Sequence, residues 1–329
     1  MDGIPHPDML RRLEHDDLRL AMSGDALADL YPVENYDDFV RWFQGIKPLE
    51  GDLDTFRPLL AFHIERLKAD NVLYTEIMIA GSEIPHDKGE LVGKVRAFRD
   101  WVTEQEDGKI QVEFLAAFGR NRTLDRVEEL ADRILMLHEA GLVVGVALAG
   151  PEQGYPVRPL RRTFARFREA GLGIEIHAGE WCGPESVWDA LEHGSPHRIG
   201  HGIAIFDDSN LVRRFQGERM HIEMCPTSNL KTGSVRSIEN HPIRRARELG
   251  LSFSINTDDP GAFECSMASE YRLLADVFGF AEADFDMVLE NSLAARFQPA
   301  LRGPARALML SRERAGGPHH RGKNIAGCL

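Results

Sequence analysis

The sequence predicts an α/β fold, and within that class a (β/α)₈ barrel of the TIM type whose first β-strand is missing from this chain. Helical and strand patterns alternate between Phe56 and Phe297, as repeated βα units require. The strand segments are continuously apolar, which is typical of a parallel sheet buried on both faces. Three similar joins each end a helix at a glycine and then begin a strand, at Glu139–Leu142, Glu169–Leu172 and Glu248–Leu251.

Apolar runs bounded by turn residues predict seven strands. These cover Val72–Ile79, Ile110–Phe118, Leu142–Ala149, Ile174–His177, Ile199–His201, His221–Met224 and Ser252–Asn256. A closed barrel of this type has eight strands, so we expect the missing first strand to lie before Met1. A doubly wound open sheet is the alternative fold, and the lack of a Gly-x-Gly-x-x-Gly turn before a helix disfavours its dinucleotide-binding form.

Helical periodicity predicts the elements between the strands. The predicted helices cover Phe56–Ala69, Leu91–Thr103, Leu124–Ala140, Leu160–Ala170, Ser186–Glu192, Ile243–Leu249, Met267–Phe278 and Phe285–Phe297. The clearest is the one that Gly141 ends, because its apolar residues recur every three or four positions.

Residues 1–310 are expected to form a single barrel domain, and residues 311–329 a disordered tail that is rich in glycine and basic residues. Residues 4–50 are predicted to be a helical, lid-like segment. Much of the aromatic content of the chain lies there, at Tyr31, Tyr36, Phe39, Trp42 and Phe43. Two interpretations of these aromatic residues remain: the packed face of a helix pair, or an apolar lid over a pocket.

Composition excludes several classes of partner. The net charge of −13, with no cluster of Lys and Arg, argues against a nucleic-acid partner. No apolar run reaches the length of a membrane span, so no membrane partner is expected. The four cysteines are scattered and form no Cys-x-x-Cys pair, which favours reduced thiols and a cytoplasmic location. The sequence leaves the oligomeric state undetermined.

Polar residues follow five of the predicted strands, where a parallel barrel carries its chemistry. A metal ion would accept His177 and one carboxylate of the pair Asp258 and Asp259, leaving the other carboxylate for a substrate N–H. Glu180 is a candidate acid or base, and His201, between two glycines, is placed to hold an attacking hydroxide. Each residue alone has a simple structural explanation, but their recurrence at successive strand ends favours chemistry.

At these positions the chain resembles the adenosine deaminase family. The resemblance rests on His-Ala-Gly-Glu at 177–180, Arg-Ile-Gly-His-Gly at 198–202, Met-Cys-Pro-Thr-Ser-Asn at 224–229 and Asn-Thr-Asp-Asp-Pro at 256–260. The order and spacing of these motifs match the family, and the resemblance extends from about residue 2 to residue 297. As a set, the motifs are highly specific.

The resemblance implies a (β/α)₈ barrel, one zinc ion per chain, and hydrolytic removal of an amino group from a purine-like ring. His177 and Asp258 would be zinc ligands. Glu180 would protonate the ring nitrogen beside the carbon under attack, and His201 would hold and stabilise the attacking hydroxide. The other zinc deaminase class, with His-x-Glu and Pro-Cys-x-x-Cys, is absent, because Cys225-Pro226 has the wrong order.

The resemblance also implies substrate contacts. Asp259 would meet the imidazole-side nitrogen of the purine, the backbone at Gly150 another ring nitrogen, and Asp2 the 5′ side of a ribose. Met78 and Ala147 stand where many relatives carry Arg and Asp, near the mouth of the barrel. The small-molecule partner is therefore expected to be a purine nucleoside or base, with adenosine, adenine and modified purine nucleosides all open.

One departure from the family pattern concerns the metal. The first strand of the family ends in His-x-His-x-Asp-Gly, whose histidines bind zinc, whereas this chain retains only Asp2-Gly3, with Met1 at the variable position. Two remaining ligands are fewer than the three of a typical catalytic zinc site, so weak or partial zinc binding is predicted. Either the protein begins upstream of Met1, or it is a non-catalytic nucleoside-binding relative that has lost metal ligands. The genomic codons upstream distinguish these interpretations.

Overall fold

Seven strands form one sheet in the part of the chain that the computed structural model describes, residues 31–46, 53–80, 84–298 and 300–314. They are β1 Tyr74–Ala80, β2 Gln111–Gly119, β3 Gly145–Ala149, β4 Gly173–Ala178, β5 Arg198–His201, β6 His221–Met224 and β7 Ser252–Ile255. Each strand pairs in parallel with the next one along the chain. The prediction of seven parallel strands is confirmed, and among the described residues β1 and β7 form the two edges of the sheet, consistent with a missing first strand.

Helices connect the strands and cover the sheet. They are α1 Tyr36–Ile46, α2 Leu53–Ala69, α3 Lys88–Glu106, α4 Leu124–Glu139, α5 Arg161–Glu169, α6 Pro184–His193, α7 Ser209–Glu218, α8 Pro226–Lys231, α9 Ile243–Glu248, α10 Pro260–Phe263, α11 Met267–Phe278, α12 Glu282–Ala295 and α13 Gly303–Arg314. Short 3₁₀ turns precede α5, α7 and α9. Apolar side chains of helices and strands pack in one large core, and a second, small cluster is formed by Leu115, Ala117 and Ala147. Apolar contacts on both faces explain why the strands are continuously apolar.

Helix α7 was not among the predicted helices. Its signal in the sequence is modest: Asp208 caps the first turn by accepting from the backbone N–H of Asn210, and Leu211 and Phe215 are buried one turn apart. The short helices α8 and α10, which follow β6 and β7, were also not predicted. Each begins with a proline in its first turn, and neither is long enough to show a helical period.

Helix α1 lies over the carboxyl ends of strands. The ring of Tyr36 contacts Trp181, just beyond β4, with 4.8 Å between ring centroids. The ring of Phe39 stacks on Phe263 of α10, just beyond β7, at 5.3 Å. The hydroxyl of Tyr31 donates to the carbonyl of Gly261 in the same helix at 3.0 Å. These contacts seat α1 against the segments that follow β4 and β7, and both interpretations of the aromatic residues, the packed face of a helix pair and a lid over a pocket, stay predictions. Residues 4–30 and 47–50 of the predicted lid-like segment lie outside the described residues.

The carboxyl-terminal part of the described chain differs from the prediction in one respect. Helix α13 continues through Arg314, so residues 311–314 are helical and the expected tail begins too early at 311; residues 315–329 lie outside the described residues. In the part of the chain that can be described, no helix is both long and apolar enough to cross a membrane.

Phe297 packs against the amino ends of the strands. Its ring lies beneath Gly145 and Gly173, the first residues of β3 and β4, and the guanidinium of Arg198 stacks on it at 3.5 Å from the ring centroid. A Cβ at Gly173 would overlap the ring. Glycine at the start of β4 therefore makes room for this contact.

We expect Gly173→Ala to lower the free energy of unfolding by about 1–3 kcal/mol, because the added methyl displaces the Phe297 ring from a packed position. Gly93→Ala is the control: no atom lies within 4 Å of its added Cβ, and alanine suits the interior of α3. Urea denaturation of both variants tests this. Equal stability of Gly173→Ala and the unmodified protein would contradict the packing argument.

Candidate active site at the carboxyl ends of the strands

Three side chains from three strand ends converge on one point. Potential ligand atoms of His177 in β4, His201 in β5 and Asp258 after β7 all lie within 4.8 Å of one another. The two imidazole rings meet edge to face, with 4.9 Å between their centroids. A nitrogen and oxygen donor set at this spacing suits a metal ion such as zinc.

Glu180 joins this cluster from the loop after β4. Its Oε2 lies 3.5 Å from Nε2 of His201, and its side chain is buried. Burial raises the pKa of Glu180 well above its usual value, and the negative charges of Asp258, Glu152 and Asp259 raise it further. A carboxyl group of this kind holds its proton at higher pH than an exposed one, as a general acid requires.

The remaining predicted site residues are placed as follows. Asp259 is buried at the start of α10 and lies close enough to Glu180 for its charge to raise the pKa of that group. Gly150 follows β3 with φ of +90°, and a Cβ added there would lie 3.4 Å from the Cα of Gly119 at the end of β2. Asp2 lies outside the described residues. The five side chains from His177 to Asp259 that the sequence singled out are therefore brought together.

Two of these residues have unusual backbone conformations. His201 and Asp258 have φ of 59° and 57°, in the left-handed region that side chains with a Cβ seldom adopt. Such a conformation costs on the order of 1–3 kcal/mol and persists only where the surrounding structure enforces it. Here it directs the two side chains toward each other at the ends of β5 and β7.

Glu175 orients His177. The two residues are separated by one position in β4 and so share a face, and Oε1 of the buried Glu175 lies 2.8 Å from Nδ1 of His177. A carboxylate accepts a proton at Nδ1, which leaves the lone pair on Nε2 for a metal ion. A Cβ at Gly200 would overlap the carboxylate, so glycine in β5 leaves room for it. The strand alternation could have identified Glu175, but the sequence motifs did not.

Glu152 holds the backbone of the Glu180 loop. Its Oε2 accepts from the N–H of Gly179 at 2.7 Å, and its Oε1 from those of Glu180 at 2.8 Å and Trp181 at 3.0 Å. Oε2 also accepts from the hydroxyl of Ser186. Burial raises the pKa of Glu152, but these hydrogen bonds outweigh it and lower the pKa overall. No sequence motif identifies Glu152, because the contact joins two loops 27 positions apart.

Ser228 and Asn229 hold the other members of the cluster. The hydroxyl of Ser228 donates to Oδ2 of Asp258 at 2.7 Å, and Asn229 contacts Nδ1 of His201 at 3.0 Å. Both residues belong to the 224–229 motif, in the first turns of α8 after β6. The motif had no assigned role, and the structure shows that it supports two side chains of the site.

The fold and the site define a class of protein. A parallel βα sheet with histidines, aspartates and a buried glutamate at the carboxyl ends of its strands is a barrel-type hydrolase, in which water is activated beside a proton donor. Residues 7–308 match the family model described as adenosine deaminase. Because the match spans most of the chain, this protein belongs to the adenosine deaminase family of metal-dependent hydrolytic deaminases. The resemblance inferred from the motifs is confirmed.

Individual proteins agree with this assignment. An adenine deaminase from Rhizobium leguminosarum bv. trifolii is 31% identical over 288 residues, covering 84% of this chain and 86% of that protein. The crystal structure of adenine deaminase from Arthrobacter aurescens matches with a TM-score of 0.79 at 24% identity, over 94% of each chain. An amidohydrolase from Burkholderia ambifaria, solved with bound zinc, matches with a TM-score of 0.76 at 20% identity, over 95% of this chain and 87% of that one. The structural matches confirm the predicted fold class.

We expect Glu152→Gln to loosen the Glu180 loop. Glutamine has one acceptor oxygen, so at least one of the N–H groups of residues 179–181 loses its partner. Hydrogen exchange at these amides should accelerate by about 5- to 150-fold, equivalent to the ~1–3 kcal/mol cost of an unmade buried hydrogen bond. Mass spectrometry of the deuterated protein measures this rate.

Glu185→Gln is the matched control, because Glu185 is an exposed acid in the first turn of α6, directly after this loop. It accepts from the N–H of Gly183 and from none of the N–H groups of residues 179–181. Its exchange at residues 179–181 should equal that of the unmodified protein. Equal rates in both variants would show that Glu152 does not hold the loop.

Proposed function

We propose that this protein is a zinc-dependent aminohydrolase that removes the amino group of adenosine or a related purine nucleoside or base. The observation that carries the proposal is the convergence of His177, His201 and Asp258 within 4.8 Å, with the buried Glu180 against His201. A metal site beside a buried carboxyl group whose pKa is raised meets the two needs of hydrolytic deamination: a nucleophile, and a proton donor for the ring. Membership of the deaminase family supports this reaction class.

His177 and Asp258 would hold the zinc ion. Hydrogen bonds to Glu175 and Ser228 orient these two side chains, and an imidazole nitrogen with a carboxylate oxygen is a donor set that zinc accepts. Bound zinc would act as a Lewis acid that lowers the pKa of water to about 7. Since two ligands are fewer than the usual three, weak or partial zinc binding stays a prediction for the described residues.

The side chains of this site would divide the reaction between them. Water attacks the carbon that bears the amino group, and His201 holds the attacking oxygen. Glu180 gives its proton to the adjacent ring nitrogen, which lets the ring accept the electron pair of the attacked double bond. The carbon–nitrogen bond then breaks: one proton of the attacking water leaves with the amino group as ammonia, the other returns to the Glu180 carboxylate, and a 6-oxopurine remains. Asp259 and the backbone of Gly150 would bind the ring nitrogens on the other side of the purine.

The substrate is tested with a panel of purines. The family relative from Rhizobium leguminosarum bv. trifolii is named adenine deaminase, which places adenine first in the panel, with adenosine and N6-modified purine nucleosides beside it. Ammonia release and the ultraviolet spectrum of the 6-oxopurine report turnover by the zinc-supplied protein. Absence of turnover with every purine, together with retained ligand binding, would instead support a non-catalytic nucleoside-binding relative.

We expect Glu180→Gln to reduce kcat by about 10²–10⁴-fold, the usual contribution of a positioned general acid, while the Kd of the 6-oxopurine product changes little. The melting temperature should stay unchanged or rise, because burial makes the charged form of Glu180 costly and glutamine carries no charge. Steady-state kinetics, calorimetric titration with product and thermal denaturation measure the three quantities. Full activity in the variant would refute the acid role. Glu185→Gln supplies an exposed control in the first turn of the following helix, α6.

We expect Glu175→Gln to weaken zinc binding by roughly 10- to 100-fold, the usual cost of losing a carboxylate partner of a metal-binding histidine. Competition with a chromophoric chelator measures the zinc Kd without reference to activity. Glu223→Gln is the control, since Glu223 is a nearby, partly buried acid whose Oε1 lies 3.1 Å from Arg198, and it acts on His177 through its charge without a hydrogen bond. If both variants bind zinc equally, Glu175 does not act through His177.

A further inference from the structure

A buried chain of hydrogen bonds leads from the backbone of α9 to the site. The N–H of Ile243 donates to Nδ1 of His241 at 3.3 Å. Nε2 of His241 lies 3.1 Å from Oδ1 of Asn229, and Nδ2 of Asn229 lies 3.0 Å from Nδ1 of His201. The exposed fractions of His241, Asn229 and His201 are 2%, 0% and 2%, so the chain is closed to solvent.

The N–H of Ile243 fixes which group donates in every hydrogen bond between Ile243 and His201. A backbone N–H can only donate, so Nδ1 of His241 accepts and carries no proton. The proton of His241 is therefore on Nε2, and Asn229 turns its amide oxygen toward it. The amide nitrogen of Asn229 then faces His201 and donates to Nδ1 of that ring. His201 consequently carries its proton on Nε2.

The backbone around Asn229 keeps the chain in place. Its carbonyl accepts from the N–H of Val235 at 3.0 Å and from the hydroxyl of Ser234 at 3.1 Å. The ring of His241 packs edge to face against Phe278 of α11, with 6.4 Å between centroids. These contacts fix the backbone of Asn229 and the ring of His241.

We propose that Asn229 and His241 are positioning residues that set the tautomer of His201, so that its Nε2–H points toward Glu180 and the reacting carbon. For its catalytic consequence the proposal rests on the proposed function. The tautomer itself is a property of the free protein. Nε2 of His201 lies 3.5 Å from Oε2 of Glu180, so the proton is on the side of the ring that faces the site.

The Nε2–H tautomer of His201 gives it a different role from His177, its neighbour in space. Glu175 accepts from Nδ1 of His177, which leaves Nε2 of that ring as a ligand, whereas Asn229 donates to Nδ1 of His201, which makes Nε2 of that ring a donor. With its proton on Nδ1, His201 would offer a lone pair at Nε2 and compete as a third ligand beside Asp258. The hydrogen-bond chain thus keeps His201 free to donate to the attacking oxygen.

Asn229→Asp tests the proposal with a side chain of nearly the same shape. A carboxylate only accepts, so it would receive both the proton on Nε2 of His241 and a proton on Nδ1 of His201, and the tautomer of His201 reverses. Two-dimensional nitrogen–proton spectra of protein labelled with 15N-histidine distinguish the two tautomers. The His201 signal is assigned by its absence from His201→Gln.

We expect the Nε2–H form of His201 in the unmodified protein and the Nδ1–H form in Asn229→Asp. The variant should lose kcat by about 10³–10⁴-fold, the size of effect that a wrong histidine tautomer causes in a hydrolase, with the product Kd changed only a few-fold. If Asn229→Asp fails to fold, two variants of His241 test the proposal instead. His241→Gln retains an N–H for Oδ1 of Asn229 and should lose less activity than His241→Leu, which retains none.

His221→Gln is the matched control, because His221 is a buried histidine of β6 that contacts Ser252 and Ser254 and no member of the chain. It should leave the His201 tautomer unchanged. An Nδ1–H form in the unmodified protein, or an unchanged Nε2–H form in Asn229→Asp and His241→Leu, overturns the proposal. If the tautomer reverses as expected but no purine is deaminated by the unmodified protein, the positioning role is supported and the proposed function fails.

Discussion

The parallel pairing of seven strands in chain order is the constraint on which the site depends. Parallel strands direct all their carboxyl ends to one edge, so residues that follow β4, β5 and β7 meet there although they are far apart in sequence. His177, His201 and Asp258 reach one point for this reason. The helices add no residue to this trio. They hold the strands in register and bury their outer faces.

Polar residues on the inner face of the sheet support the site from below. Arg198 is buried with Glu76 at 2.6 Å and Glu223 at 3.1 Å, and burial together with nearby carboxylates raises the pKa of Glu223 to about 7. Removing charges from water is costly, so a buried ionic group such as Arg198 with Glu76 and Glu223 loses stability strongly when one of its charges is removed. The same inner face carries Glu175, which orients His177.

The sequence identifies those site residues that belong to a contiguous motif. Glu180 is three positions from His177, so both could be recognised together. Glu152 could not, because its three backbone contacts join loops that are distant along the chain. His241 has no motif around it and gains a role only through Asn229. Helix α7 was missed for a different reason, since a helix of 10 residues with few apolar positions gives a weak periodic signal.

The sequence by itself determined the fold class, the number and order of the strands, and the deaminase family, because these depend on local apolar patterns and on motifs that are contiguous in the chain. Only the tertiary structure decided which side chains contact the two ring nitrogens of each histidine. The physical reason is that a hydrogen bond requires a donor and an acceptor about 3 Å apart in space, whatever their separation in the sequence. The contacts of Glu175 with His177 and of Asn229 with His201 therefore become visible only in the assembled sheet.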